Sequence, residues 1–458
     1  MKKRGWVIIG FMVVFVTLLI PLGGEDGSAR QEKWVARYNG PGNGTDHASA
    51  LAVDSSGNVY VTGYSSASGS YGFATIKYNT NGKRLWGTRY FGPYGYDALA
   101  SALAIDGSGN VYVTGYGKSD GTNGDDYATV KYSLNGKQLW AARYDSFFGR
   151  PDKPCALAVD GSGNVYVTGW CMGSGLDDEY LTVKYSTHGQ LLWAKRYDGS
   201  GSGDDAASAI AVDGSGNVYV TGYSCGSGGK KDKKDYATVK YNTDGKQLWV
   251  KRYNGPGKGW DGARALAVDG SGNVYVTGDS EGSGTYGNSD YATIKYNTNG
   301  KQLWVARYNG QANLWDQASA IAVDGLGNVY VTGYSGGSGT ADDFATIKYN
   351  PNGKQIWANR YNGPDNLRDV ASAIAVDGSG NVYVTGLSSV EGPDYNYCDY
   401  ATIKYSPGGL QLWVKTYNGP GNKYDWPCGI SVDSRGNVYV TGTSEGSSTG
   451  EDYATIKY

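Results

Sequence analysis

Residues 212–222 read Val-Asp-Gly-Ser-Gly-Asn-Val-Tyr-Val-Thr-Gly, and the heart of that phrase, Gly-Asn-Val-Tyr-Val-Thr-Gly, begins at residues 57, 109, 163, 216, 272, 327, 380 and 436. Val-Tyr-Val-Thr is a run of β-branched and aromatic residues suited to a strand. The Asp-x-x-Gly-Asn before it is turn chemistry, with glycine to supply a positive φ and Asp to bond the backbone. Upstream stands a short apolar run such as Ala-Leu-Ala-Val at 50–53. Each copy therefore predicts a hairpin of an Ala-rich strand and a Val-Tyr-Val strand.

Working outward, a second element, [Tyr/Phe]-[Ala/Leu]-Thr-[Ile/Val]-Lys-Tyr, ends at Tyr78, Tyr132, Tyr185, Tyr241, Tyr296, Tyr349, Tyr405 and Tyr458. A third, Trp-x-x-[Arg/Thr]-Tyr, begins at Trp34, Trp86, Trp140, Trp193, Trp249, Trp304, Trp357 and Trp413. Successive Trp spacings of 52, 54, 53, 56, 55, 53 and 56, with about four strands per unit, read as propeller blades. The fold expected is all-β: a single eight-bladed β-propeller of four antiparallel strands per blade, spanning 30–458. The Ala strand, narrowest in side chain, belongs at the axis and the Trp strand at the rim. The chain starts this pattern on a rim strand and stops on a third strand. Trp34–Tyr38 should therefore complete the last blade and close the ring, removing two sheet edges.

Composition agrees. Gly 73, Tyr 41 and Trp 13 in 458 residues, with only 3 Met and 12 Pro, argue against an all-helical fold, disorder or collagen. With 41 basic against 43 acidic residues, no basic surface for nucleic acid is expected.

The repeated Val-Asp-Gly-Ser-Gly-Asn-Val-Tyr-Val-Thr-Gly (212–222 and its copies), together with Tyr-Ala-Thr-[Ile/Val]-Lys-Tyr, resembles the SBBP repeat family, β-propeller repeats of exported bacterial and archaeal proteins. The resemblance covers essentially the whole chain after the leader and implies fold and export, but no particular activity. The family is named for seven blades; this chain departs from it with eight copies. The Gly-Lys-x-Leu-Trp segments at Gly136–Trp140, Gly245–Trp249 and Gly300–Trp304 also resemble the Trp-docking repeats of quinone-cofactor dehydrogenases and their non-enzymatic relatives. That second likeness is confined to Gly-x-x-x-Trp and implies a shared way of locking neighbouring blades.

Lys2, Lys3 and Arg4 precede an uncharged apolar run from Trp6 to Leu22 and a small-residue stretch to Ala29. This is the order of a secretory signal; at 17 residues the run is also at the lower limit for a retained anchor. Residues 1–29 are thus read as signal peptide or membrane anchor. The remainder is expected to be secreted or held at the cell envelope, touching membrane only through that segment, and monomeric. Of the five cysteines (Cys155, Cys171, Cys225, Cys398, Cys428), Cys155, Cys428, Cys171 and Cys225 stand where other repeats carry Ser, reading as small buried residues more than a disulfide framework. There is no Cys-x-x-Cys and no Cys/His cluster, and no metal or other cofactor is expected.

Antiparallel strands place the two tight turns on one face and the variable loops on the other. On the loop face lie two acidic series. The first is Asp46, Asp97, Asp152, Asp205, Asp261, Asp316, Asp369 and Asp425; the second is Asp126, Glu179, Asp235, Asp290, Asp343, Asp399 and Asp452, with Gly72 the exception. Recurrence in every blade favours carboxylates that pin loops by accepting backbone N–H groups. The sharper reading is an acidic ring around the axis that holds a cation or basic ligand. Residues just before the first series break the symmetry: Tyr96, Trp260, Trp315 and Tyr424 form an aromatic arc suited to stacking on sugar rings or gripping a peptide, beside Arg368. The turn Asp54-x-Ser56-x-Asn58 has calcium-loop spacing at three positions, but Leu326 and Arg435 interrupt it in other copies and no Glu follows at position 12, so backbone bonding is expected there. Catalytic chemistry is sparse: His47 beside Asp46, and His188 in a turn on the other face. Two functions remain. One is an exported non-enzymatic scaffold binding a glycan, peptide or envelope partner through its loop face, by Tyr96, Trp260, Trp315, Tyr424 and Arg368. The alternative is a secreted carbohydrate-active hydrolase or lyase at the channel mouth, using His47, Asp46 and Arg368.

Overall fold

In the computed structural model the chain folds as a ring of eight four-stranded antiparallel sheets. The structure describes residues 6–9 and 13–15 and, from residue 32 on, everything except 68, 119–123, 148, 202, 227–232, 283–287 and 392–396. Blade 1 runs from the axis outward as Asp46–Val53, Val59–Ala67, Ser70–Tyr78 and Arg84–Tyr90. Each later blade repeats that order. The leader expected at 1–29 lies outside the described residues, save for two backbone pieces. Of these, Trp6–Ile9 pairs with Val13–Phe15 and with the innermost strand of blade 3.

Closure occurs where the chain ends predict it. Trp34–Tyr38 pairs antiparallel with Glu451–Lys457, Trp34 opposite Lys457 and Tyr38 opposite Tyr453, giving blade 8 its rim strand. The Ala, Val and Ile side chains of the inner strands pack between neighbouring sheets and are almost wholly buried. The Val-Tyr-Val strands contribute Thr62, which meets Thr75 across the sheet at 2.9 Å; every blade repeats this buried Thr pair.

The turn face is built from saturated side chains. Asp54 Oδ1 accepts the N–H groups of Ser56 and Asn58, and Oδ2 accepts the Asn58 amide and the Tyr60 hydroxyl, all at 2.8–3.0 Å. Leu326 and Arg435 do not disturb this, since position 3 of the turn contributes only its N–H. Burial, followed by the charge of Asp54, lifts the Tyr60 phenol far above its ordinary range.

Among the described residues, tryptophan locks seven of the eight blades to the next. Trp34 Nε1 donates to the Thr80 carbonyl at 3.0 Å, and Lys457 of the same blade donates to that carbonyl at 2.9 Å. The indole lies on Gly82, where φ is +77° and an added Cβ would come within 2.7 Å of the ring, so only glycine fits. The same arrangement joins Trp86 to Leu134 and Trp304 to Pro351. The five cysteines are unpaired and buried or half-buried, and Cys155 donates to the Ala207 carbonyl of the next blade.

Candidate functional site on the loop face

The first acidic series sits at the start of the innermost strands, turned into the protein. Asp46 Oδ2 accepts the Gly40 N–H at 2.6 Å, tying the incoming loop to its strand. The bond recurs six residues apart at Ser146–Asp152, Gly199–Asp205, Gly255–Asp261, Gly310–Asp316, Gly363–Asp369 and Gly419–Asp425. These seven carboxylates are essentially inaccessible. Desolvation raises all seven, to about 6 in Asp152, Asp261, Asp316 and Asp369, against the pull of the donors that hold them.

Blade 2 differs. Ala98, not Asp97, stands opposite Gly117, the register that Asp46 takes opposite Ser65 in blade 1. Asp97 is one residue outside, accepting the Tyr71 N–H of the preceding blade. Its nine-residue spacing to the next Asp turn, against eight elsewhere, carried that shift in the sequence.

The second series belongs to a polar chain that crosses all four strands. In blade 5 Asp261 stands opposite Ser280, and Ser280 opposite Asp290. Arg307 of the rim strand then reaches back over them. Its Nη2 meets Asp290 Oδ2 at 2.8 Å and the Ser280 carbonyl at 2.8 Å, while Nη1 meets Ser280 Oγ at 2.6 Å and the hydroxyl of Tyr253, on the preceding rim strand, at 3.0 Å. Arg252 in blade 4 and Arg37 in blade 8 bind the same four groups. A planar fork of donors suits four acceptors fixed by three strands. The arginine of Trp-x-x-Arg-Tyr thus neutralises the second series, a pairing our sequence reading did not make.

Two blades break the pair in opposite senses. Blade 1 keeps Arg89 but has Gly72 where the acid should be, and Arg89 lies over the Phe91 ring at 5.0 Å. Blade 7 keeps Asp399 but has Thr416 where the arginine should be. Among the described residues Asp399 has no cationic partner, and its Oδ1 is buried without a hydrogen bond, as is the hydroxyl of Ser388 opposite it. Burial, then the charges of Asp425 and Asp365, push Asp399 up to about 6. It lines a pocket of about 540 Å³ with Tyr397, Asn418, Asn422, Lys423 and Glu391; Lys423 is bound to Glu445 at 2.7 Å.

The arc residues stand on the same face, just before the innermost strands. Trp260, Trp315 and Tyr424 each give a backbone carbonyl to the second strand of their own blade, so their side chains are mounted alike, 39, 50 and 43% exposed. In blade 2 that carbonyl is Asp97's, which sets the exposed Tyr96 one residue further out. Trp260 packs against Tyr223 with ring centroids 5.7 Å apart and the planes tilted by 43°, and Lys234 lies over both rings. Arg368 bonds Asp342 at 3.2 Å and covers Tyr334.

His47 and Asp46 are adjacent in one strand, so they project to opposite sides of the sheet. His47 stacks on Tyr64 with centroids 5.1 Å apart; its Nδ1 is buried without a partner, and desolvation lowers its pKa. Arg368 belongs to blade 7 and contacts blade 6, so the described contacts do not join these three residues into one constellation. Asp126, Asp145 and Asp152 do come within 4.8 Å of one another between blades 2 and 3, with Arg143 on Asp126 and Ser146 on Asp152.

The SBBP "Beta-propeller repeat" family matches residues 33–69, 193–229, 248–284, 304–339, 356–392 and 412–448. The chain belongs to the SBBP β-propeller repeat proteins. The stretch between residues 69 and 193, where the family does not match, contains Ala98 and Gly117 in blade 2 and Cys171 in blade 3, which replace the Asp and Ser of the polar chain. The chain is also similar, at 24% identity over 441 residues, to an uncharacterised WD repeat-containing protein, L264, of Acanthamoeba polyphaga mimivirus, covering 69% of this SBBP-repeat chain and 31% of that protein. It therefore spans about a third of that relative's length. Among solved structures it resembles Sqt1 from Chaetomium thermophilum, with a TM-score of 0.52, 11% identity, and 94% and 99% of the two chains covered. At that identity the likeness is one of fold.

Proposed function

We propose that this protein is an exported, non-enzymatic scaffold that binds a glycan, peptide or envelope partner on its loop face. The observation that carries this reading is the division of labour on that face. Recurrent ionisable groups are committed to holding loops and strands, while Trp260, Trp315 and Tyr424 stand exposed on equivalent mounts just before the innermost strands. Flat aromatic surfaces fixed on a rigid frame bind sugar rings or side chains at small entropic cost. Catalysis would need converging groups of unequal proton affinity, and His47 is instead stacked and short of partners. The first binding candidate is a glycan. On a glycan array, wild-type protein should retain a subset of glycans that the Trp260→Ala/Trp315→Ala variant loses by tenfold or more. Turnover of a retained glycan, abolished in His47→Ala, would replace this reading with a carbohydrate-active enzyme.

A further inference from the structure

Repetition gives blade 7 an internal control that single-copy folds lack. In blades 4, 5 and 8 four acceptors converge on one guanidinium: a carboxylate on the third strand, a Ser hydroxyl and carbonyl on the second, and a Tyr hydroxyl on the preceding rim strand. Blade 7 retains the corresponding residues, Asp399, Ser388 and Tyr361, on strands of the same register. Only the donor is missing, because Thr416 is too short to reach across and carries no charge. Of the three retained residues, Asp399 lines the pocket of about 540 Å³, with Asn418, Asn422 and Tyr397. The cation nearest to hand, Lys423, is engaged by Glu445.

We propose that blade 7 holds a receptor seat for an external alkylguanidinium group, bound by Asp399, Ser388 and Tyr361 in the manner of Arg307 in blade 5. A guanidinium is the occupant favoured over an ammonium because the acceptors are spread over three strands and match a planar fork, whereas an ammonium is a compact point charge. Solvated metal ions are disfavoured too, since a single carboxylate and neutral oxygens supply little charge for a divalent cation. The group can come from a small molecule or from an arginine side chain of a polypeptide. This inference is independent of the aromatic arc and of any glycan bound there.

The test is calorimetric titration of the full-length protein with agmatine and with the peptide Ala-Ala-Arg-Ala-Ala, capped at both ends, against its Lys counterpart. Saturable binding of a guanidinium probe, at least tenfold tighter than the Lys peptide, is expected. Agmatine binding as tightly as the peptide points to a small-molecule source, and a tighter peptide to a polypeptide one. Thr416→Arg, which fills the seat from within, should abolish binding and raise the melting temperature. Asp399→Asn should weaken binding tenfold or more and gives a second reading if Thr416→Arg does not fold. Failure of both guanidinium probes to bind wild type at 10 mM, or undiminished binding to either variant, would overturn the proposal. Loss of glycan binding in the Trp260→Ala/Trp315→Ala variant leaves it untouched.

Discussion

Blades 5 and 7 share strand register, the buried Thr pair and the loop-pinning Asp, and differ in one residue of the chain that crosses the sheet: Arg307 in one, Thr416 in the other. The comparison teaches that the loop-face end of a blade is an electrostatic circuit, and that the repeat tolerates an open one. Removing one partner of a buried ion pair leaves the other charge desolvated and unanswered, which costs more than the pair contributed. Blade 7 carries that cost natively, and Asp399 meets it by holding its proton more tightly than an exposed carboxyl would.

The largest expected effect comes from making blade 5 resemble blade 7. Arg307→Thr would strand Asp290, whose side chain is 11% exposed, and should destabilise the ring by about 3 kcal/mol, the low end for a broken buried pair because Arg307 itself is 22% exposed. Denaturant unfolding followed by tryptophan fluorescence measures it. Agmatine should restore part of the loss if the four acceptors recreate the seat. A change below 0.5 kcal/mol would show that the pair is solvent-screened and the circuit unimportant.

Repetition made the fold legible. Three phrases repeated eight times fixed strand number, order from axis to rim and ring closure, because a closed sum of identical units leaves few topologies. The loop-pinning role of the first acidic series was legible for the same reason. What escaped was the pairing between Arg and the second series. Arg307 and Asp290 are 17 residues apart and come together only through the rim hairpin, so no local spacing announces them. The signal lay in the exceptions, Thr416 and Gly72, which the motif recorded as variation without saying what each had lost. The shift at Asp97 also depended on cross-strand register, since one extra residue exchanges which side chain turns inward.

The second effect sums over many blades. Asp152, Asp261, Asp316, Asp369 and Asp399 are all raised to about 6, mainly by burial, above the ordinary value of 3.8. Between those limits the folded state holds more protons than the unfolded one, so stability declines as pH rises through about 4 to 6 and is lower at neutrality. Thermal unfolding between pH 4.5 and 8 should therefore show the melting temperature falling by several degrees toward the upper end. A midpoint flat or rising across that range would mean these carboxylates are better solvated than their burial implies. In Asp399→Asn the curve should be slightly flatter.

The smallest effect tests the complementary gap in blade 1. Gly72→Asp would give Arg89 the carboxylate it has in other blades, yet the added Cβ would approach Phe91 at 2.9 Å, and Phe91 already covers the guanidinium. At that position after the rim Tyr, five other blades carry Asn, as at Asn39 and Asn309. The single substitution should be neutral or mildly destabilising, because the new ion pair is offset by displacing an aromatic ring from its cation. The double variant Gly72→Asp/Phe91→Asn removes the obstruction and should gain about 0.5 kcal/mol over wild type, a size typical of a partly exposed pair. A double-mutant cycle in denaturant measures the coupling. Additivity, with no gain from the double change, would show that blade 1 has settled on cation–π packing as an equal substitute for the ion pair.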